Sequence, residues 1–227
     1  MELITKKKQT AALICGLLGC LCFGAGDWLM LYGDPSYTGT LYWLTEGATQ
    51  IATWRMTLAM ALAFPGILLY GTALFSLERF IRSDKQKRVY HYLTVYGLTP
   101  WLCLHLFYVM LLFAYGWMRN HGFDAAASAV CEAVFTQFGW LPLVSEVFMV
   151  PPFLYWFYLQ ITGKTVLPKA MAFTNVLVIY GILYAAKSLL PASAFRLGFT
   201  NGLMSESMAV WFLILLLMGS SARSRGK

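Results

Sequence analysis

Long runs of apolar residues follow one another along this 227-residue chain, and they restrict what it can fold into. About twenty helical residues, rising about 1.5 Å each, cross the roughly 30 Å hydrocarbon core of a bilayer. A backbone in that core must satisfy its own polar groups, which an α-helix does. The sequence therefore predicts an all-α fold, a polytopic transmembrane helix bundle forming a single domain over residues 1–227. The six predicted spans cover residues 11–32, 51–75, 92–117, 140–161, 170–190 and 203–218.

Composition supports the same class of protein. Hydrophobic residues make up 59% of the chain and charged residues 12%, whereas a soluble domain carries about 25% charged residues. The cysteines number five, an odd count, and lie mostly inside the apolar runs. We therefore interpret them as small buried residues, and the sequence predicts neither a metal site nor a cofactor.

The distribution of basic residues predicts a topology. Lys and Arg cluster before the first span, between spans two and three, between spans four and five, and after span six. With six spans, all four clusters fall on one side of the membrane, which the positive-inside rule makes cytoplasmic, together with both termini. The net charge of +7 is thus explained by anionic membrane lipid. Nucleic acid is excluded as a partner, because no stripe of interleaved aromatic and basic residues is present.

Two features complicate the count of spans. Residues 125–138 are helix-compatible and lack Lys and Arg. They would form a seventh span in an alternative topology, but that topology moves basic clusters to the wrong side, so we predict a short helix at the outer side. Pro151 and Pro152 lie in the middle of span four and predict a kink or a break there.

Polar residues within the spans lie on faces of small residues. Gly16, Cys20 and Gly24 recur every four residues in span one, and Asp27 follows on the same face. Arg55 lies on a similar face of span two, at a matching depth in the outer half. We predict a buried Asp27–Arg55 ion pair, which either only locks two helices together or acts as a counter-ion or substrate clamp.

Further polar residues extend this predicted site. His105 lies near the centre of span three, with Tyr108 on its face, and is either a proton-transfer group or a neutral imidazole hydrogen-bonded to a neighbour. Glu146 and Glu206 enter from the outer ends of spans four and six. The sequence predicts that these side chains line one outward-facing polar cavity. The predicted ligand-binding residues are Asp27, Arg55, His105, Tyr108, Glu146 and Glu206.

A resemblance to a known family rests on short motifs in the first half of the chain. Gly26-Asp27-Trp28-Leu29 with Tyr32, then Trp54-Arg55 and His105, resemble small uncharacterised bacterial polytopic membrane proteins that are grouped under a domain of unknown function. The resemblance implies a location in the bacterial inner membrane and implies no activity.

Three functions are compatible with these patterns. The leading hypothesis is a protein that binds or transports a small polar or amphipathic ligand, which includes lipids, from the outer side. The second is an intramembrane enzyme that acts on a lipid or isoprenoid substrate, with His105 and a carboxylate as acid and base. The third is a structural or accessory subunit whose polar residues only specify helix packing. The sequence defines no oligomeric state.

Overall fold

The computed structural model describes residues 2–31, 51–138 and 141–221, and these residues are helical apart from short connections. The helices are α1 (Glu2–Leu31), α2 (Thr53–Ser76), α3 (Asp84–Asn120), α4 (Asp124–Ala127), α5 (Ala133–Phe138), α6 (Leu141–Ile161), α7 (Val176–Lys187) and α8 (Ala194–Ser221). A 3-10 segment, Leu77–Phe80, follows α2, and another, Lys169–Thr174, precedes α7. A π-helical turn, Ser128–Glu132, joins α4 to α5, so residues 124–138 are helical as predicted.

Within the described residues, four helices are long and apolar enough to cross a membrane. They cover Lys7–Met30, Thr53–Phe80, Asp84–Asn120 and Ala194–Met218. Large apolar side chains point away from the bundle along the helices, with Leu68, Ile182 and Leu217 all more than 60% exposed. Such a surface suits lipid better than water, because soluble proteins rarely expose extended apolar patches.

The fifth predicted span differs from the prediction. Its α-helix, α7, has only 12 residues, which rise about 18 Å and do not by themselves cross a bilayer. The helix starts late because Asn175 has an extended backbone and caps it, its side chain accepting a hydrogen bond from the Leu177 amide at 2.9 Å. The apolar residues before Asn175 form the 3-10 segment instead.

The sequence predicted a kink or a break at Pro151 and Pro152, and the break does not occur, because α6 continues through both residues. Pro152 has no N–H, so the carbonyl of Phe148, four residues earlier, lacks its helical hydrogen bond. Gly97 of α3 lies against that carbonyl, so closely that a Cβ at position 97 would lie 2.5 Å from the Phe148 oxygen. The Cα hydrogens of a glycine make a weak contact to such an oxygen.

The helices pack mainly as antiparallel neighbours. α1 lies between α2 and α8, α3 packs on α6 and α2, and α7 packs on α8. The core is rich in fully buried aromatic side chains from α3, α6 and α8. Within it, Trp156 contacts Trp211 at 6.2 Å and Tyr90 at 5.6 Å between ring centroids.

The two basic connections, 77–83 and 162–168, lie side by side at one end of the bundle. The Arg82 amide donates to the Lys164 carbonyl at 3.0 Å, and the Val166 amide donates to the Phe80 carbonyl at 2.8 Å. Arg82 Nε also donates to the Thr165 carbonyl at 2.9 Å. These bonds hold the two connections together at the same end of the bundle.

Candidate ligand-binding site

Polar side chains from three helices meet where the C-terminal end of α1 crosses the N-terminal half of α8. We call Asp27 and Trp28 of α1, Arg55 of α2, and Ser205 and Glu206 of α8 the Asp27 cluster. Asp27, Trp28, Arg55 and Glu206 are half-buried, and Ser205 is buried. The cluster lies at the opposite end of α1 from the basic connections.

Glycines on α8 make room for the Trp28 indole in this cluster. A Cβ at Gly198 would lie 2.6 Å from Trp28 Cε3, and a Cβ at Gly202 would lie 3.1 Å from Trp28 Nε1. Phe195 packs edge-on against the same ring at 5.3 Å. The indole therefore lies in a groove that the Gly198–Gly202 spacing opens on one face of α8.

Hydrogen bonds join the three helices at the cluster. Trp28 Nε1 donates to Glu206 Oε1 at 2.9 Å, and Ser205 Oγ donates to Asp27 Oδ2 at 3.1 Å. Arg55 Nη2 donates to the backbone carbonyl of Trp28 at 3.4 Å, one residue beyond Asp27. This bond brings the Arg55 guanidinium to the backbone of the residue that follows Asp27. A direct ion pair between Asp27 and Arg55 stays a prediction.

The two carboxyl oxygens of Glu206 differ in their hydrogen bonding, since Oε1 accepts from Trp28. Oε2 is buried and has no hydrogen-bond partner among the described residues. Leaving a buried oxygen unpaired costs about 1–3 kcal/mol, and more if the group is charged. This oxygen is therefore an acceptor that an N–H or O–H group of a bound molecule would satisfy.

His105 lies in an aromatic environment that includes Phe23, which is one helical turn before Asp27 on α1. Its ring lies 4.0 Å from Trp101 and 5.6 Å from Phe23, between centroids. His105 Nδ1 donates to the Trp101 carbonyl at 3.1 Å. Because a carbonyl can only accept, Nδ1 carries the proton of this hydrogen bond.

The remaining predicted site residues are Tyr108 and Glu146. Tyr108 is half-buried against a small apolar cluster that contains Met30, Ala59 and Leu112. Glu146 lies near the start of α6, a helix that packs on α3, and its side chain is not among those that the structure describes. Within the described residues, no group of three His, Cys, Asp or Glu side chains could hold a metal ion.

The residues predicted from the sequence to bind a ligand did not include Trp28, which donates a hydrogen bond to Glu206 in the cluster. The sequence did contain a signal for this contact. Trp28 directly follows Asp27, and Gly198, Gly202 and Glu206 recur every four residues on one face of the last helix. A large aromatic ring on one helix commonly fills a groove that glycines leave on another.

The long apolar helices and the polar contacts between them define the class: an all-helical bundle with several helices that could span a membrane. The chain belongs to the DUF6796 family, a family of unknown function whose model matches residues 4–222. The resemblance to a domain of unknown function is thereby confirmed. No curated protein and no solved structure matches the chain.

Proposed function

We propose that the chain crosses the bacterial inner membrane six times, with both termini in the cytoplasm. The placement of both basic connections at one end of the bundle supports this topology, because basic loops favour the cytoplasmic side. The antiparallel order of the helices also supports it. In this topology α6 is the fourth span, and the 3-10 segment and α7 together form the fifth. The helical segment 124–138 lies at the outer interface, and the Asp27 cluster lies in the outer half of the membrane.

We infer that the Asp27 cluster binds the polar group of a small polar or amphipathic ligand that reaches it from the outer side. The observation that carries this function is the buried Oε2 of Glu206, which has no hydrogen-bond partner among the described residues. Ionisable side chains within a bilayer are costly and mark ligand or ion pathways. A ligand with a hydroxyl, amide or ammonium group would donate to Oε2, while Trp28 keeps Oε1 engaged.

The test compares retained ligands in wild-type protein and in Glu206→Gln. The glutamine keeps an oxygen that accepts from Trp28 Nε1, but it replaces Oε2 by an amide NH₂, which is a donor. A ligand that donates at this point should therefore be lost, while the helix contact remains. The matched control is Asp84→Asn, the same type of change at an exposed carboxylate that, among the described residues, pairs with Lys87 of its own helix.

Both variants and the wild type are purified in native lipid discs, and retained molecules are identified by native mass spectrometry. We expect a discrete, non-bulk molecule on wild type and on Asp84→Asn, reduced at least about tenfold on Glu206→Gln, the effect of about 1.4 kcal/mol. Equal retention by Glu206→Gln would refute a ligand at Oε2. Only bulk lipid on all three proteins would favour the accessory-subunit hypothesis. A retained molecule that wild type converts to a second species would favour the enzyme.

A further inference from the structure

A recess lies at the other end of α1 from the Asp27 cluster, between the N-terminal half of α1 and the C-terminal end of α2. Its volume is about 540 Å³, within the range of roughly 300–1,000 Å³ that is usual for ligand sites. Ala12, Cys15 and Phe75 line its apolar part, and Lys8 and Arg79 lie at the same recess. The α1 residues that line it, from Lys8 to Cys15, lie about 18–28 Å along the helix from Asp27 at a rise of 1.5 Å per residue, so the recess is separate from the Asp27 cluster.

The polar groups of this recess favour an anion. Lys8 and Arg79 are exposed cations, and the carboxylate of Glu78 is engaged by His91 Nδ1 at 2.7 Å. The hydroxyl groups at the recess already donate to the helix backbone, with Ser76 Oγ bonded to the Ala73 carbonyl at 2.7 Å. Donors for a ligand therefore come from the two cations, which suit a phosphate.

We infer that this recess binds an anionic phospholipid of the leaflet that faces the basic connections. The lipid phosphate lies between Lys8 and Arg79, and the start of one acyl chain lies against Ala12, Cys15 and Phe75. The apolar wall distinguishes a lipid from a free phosphate ion, because an ion gains nothing from apolar contacts and a methylene chain does. Basic pockets between membrane helices on the cytoplasmic side have the chemistry that anionic headgroups require.

The test uses the full chain in detergent, with dioleoyl phosphatidylglycerol or dioleoyl phosphatidylcholine added, and counts bound lipids by native mass spectrometry. We expect wild type to retain phosphatidylglycerol in preference to phosphatidylcholine. The double variant Lys8→Gln/Arg79→Gln should bind phosphatidylglycerol about twenty-five-fold more weakly, from about fivefold for each cation near a membrane surface. Phosphatidylcholine binding should not change.

The matched control is Lys85→Gln/Arg88→Gln, which removes the same charge from exposed residues in the first turns of α3. An equal loss in the control would overturn the site, because the effect would then be one of overall charge. Ala11→Phe fills the recess without changing charge and should also reduce phosphatidylglycerol binding. If Ala11→Phe binds phosphatidylglycerol as wild type does, the acyl chain does not lie in the recess. Displacement of the lipid by millimolar glycerol phosphate would instead assign the site to soluble phosphates.

Discussion

The substitution Gly19→Ala tests the contact between α1 and α2 most directly. An added Cβ at position 19 would lie 2.6 Å from the carbonyl oxygen of Gly66 and 2.6 Å from the amide nitrogen of Tyr70. Both atoms belong to the backbone of α2, so no side-chain rotation can relieve the overlap. The helices must instead move apart along an interface that extends over most of α1.

The magnitude follows from two opposing terms. Overpacking a tight interface costs about 1–3 kcal/mol, and contacts against backbone on two sides place Gly19→Ala at the upper end. Alanine regains about 1 kcal/mol over glycine in a helix interior. The net loss is about 2 kcal/mol, or roughly 4–8 °C in midpoint temperature for a chain of this size.

Gly181→Ala is the matched control, because a Cβ at Gly181 of α7 would meet no atom within 4 Å. This variant should keep the helix-propensity gain of about 0.5–1 kcal/mol without any overlap. Both proteins are heated in detergent, and the surviving folded fraction is measured by fluorescence-detected size-exclusion chromatography. The close contact between α1 and α2 would be refuted if the midpoint temperature of Gly19→Ala equals or exceeds that of wild type. It would also be refuted if both variants lose the same stability.

Two further substitutions test buried polar groups through the same melting assay. Gln160 is fully buried, and neither atom of its side-chain amide has a hydrogen-bond partner among the described residues. Gln160→Met should therefore raise the free energy of unfolding by about 1–3 kcal/mol. A lower free energy of unfolding would show that internal water satisfies the amide. Asn175→Ala should cost about 2–4 kcal/mol, because it removes the cap on Leu177 and the 3.1 Å bond to the Phe153 carbonyl. Asn175→Ser restores only the cap, so full recovery in Asn175→Ser would refute the part assigned to Phe153.

Apolar runs in the sequence predicted where the helices lie better than where they end. The second and fourth spans were predicted within two residues of α2 and α6. α3 extends further than predicted, starting at Asp84, because a helix can continue into polar residues outside an apolar run. The length of α7 could not be predicted, since an apolar run indicates a nonpolar environment and does not specify whether the backbone is α-helical or 3-10.

The candidate site could be predicted only in part. Spacing placed Gly24 on the same face of α1 as Asp27, and this face does meet α8, with a Cβ at Gly24 lying 3.3 Å from the Ser205 Cβ. Helical periodicity gives the direction of a side chain but not which distant helix lies opposite. The bond between Trp28 and Glu206 therefore required the three-dimensional arrangement.

The contacts of α1 also constrain how the protein is made. Each hydrogen bond between α1 and α8 in the Asp27 cluster joins residues 178 positions apart. During synthesis, α1 therefore enters the bilayer long before the Ser205 hydroxyl and the Glu206 carboxyl exist. In the nascent chain, the side chains of Asp27 and Trp28 therefore need other partners until α8 is made. α2 is the first helix that can provide such contacts. A chain truncated before α8 would lack the partners of Asp27 and Trp28 on that helix, while the residues of α1 and α2 that contact each other would remain.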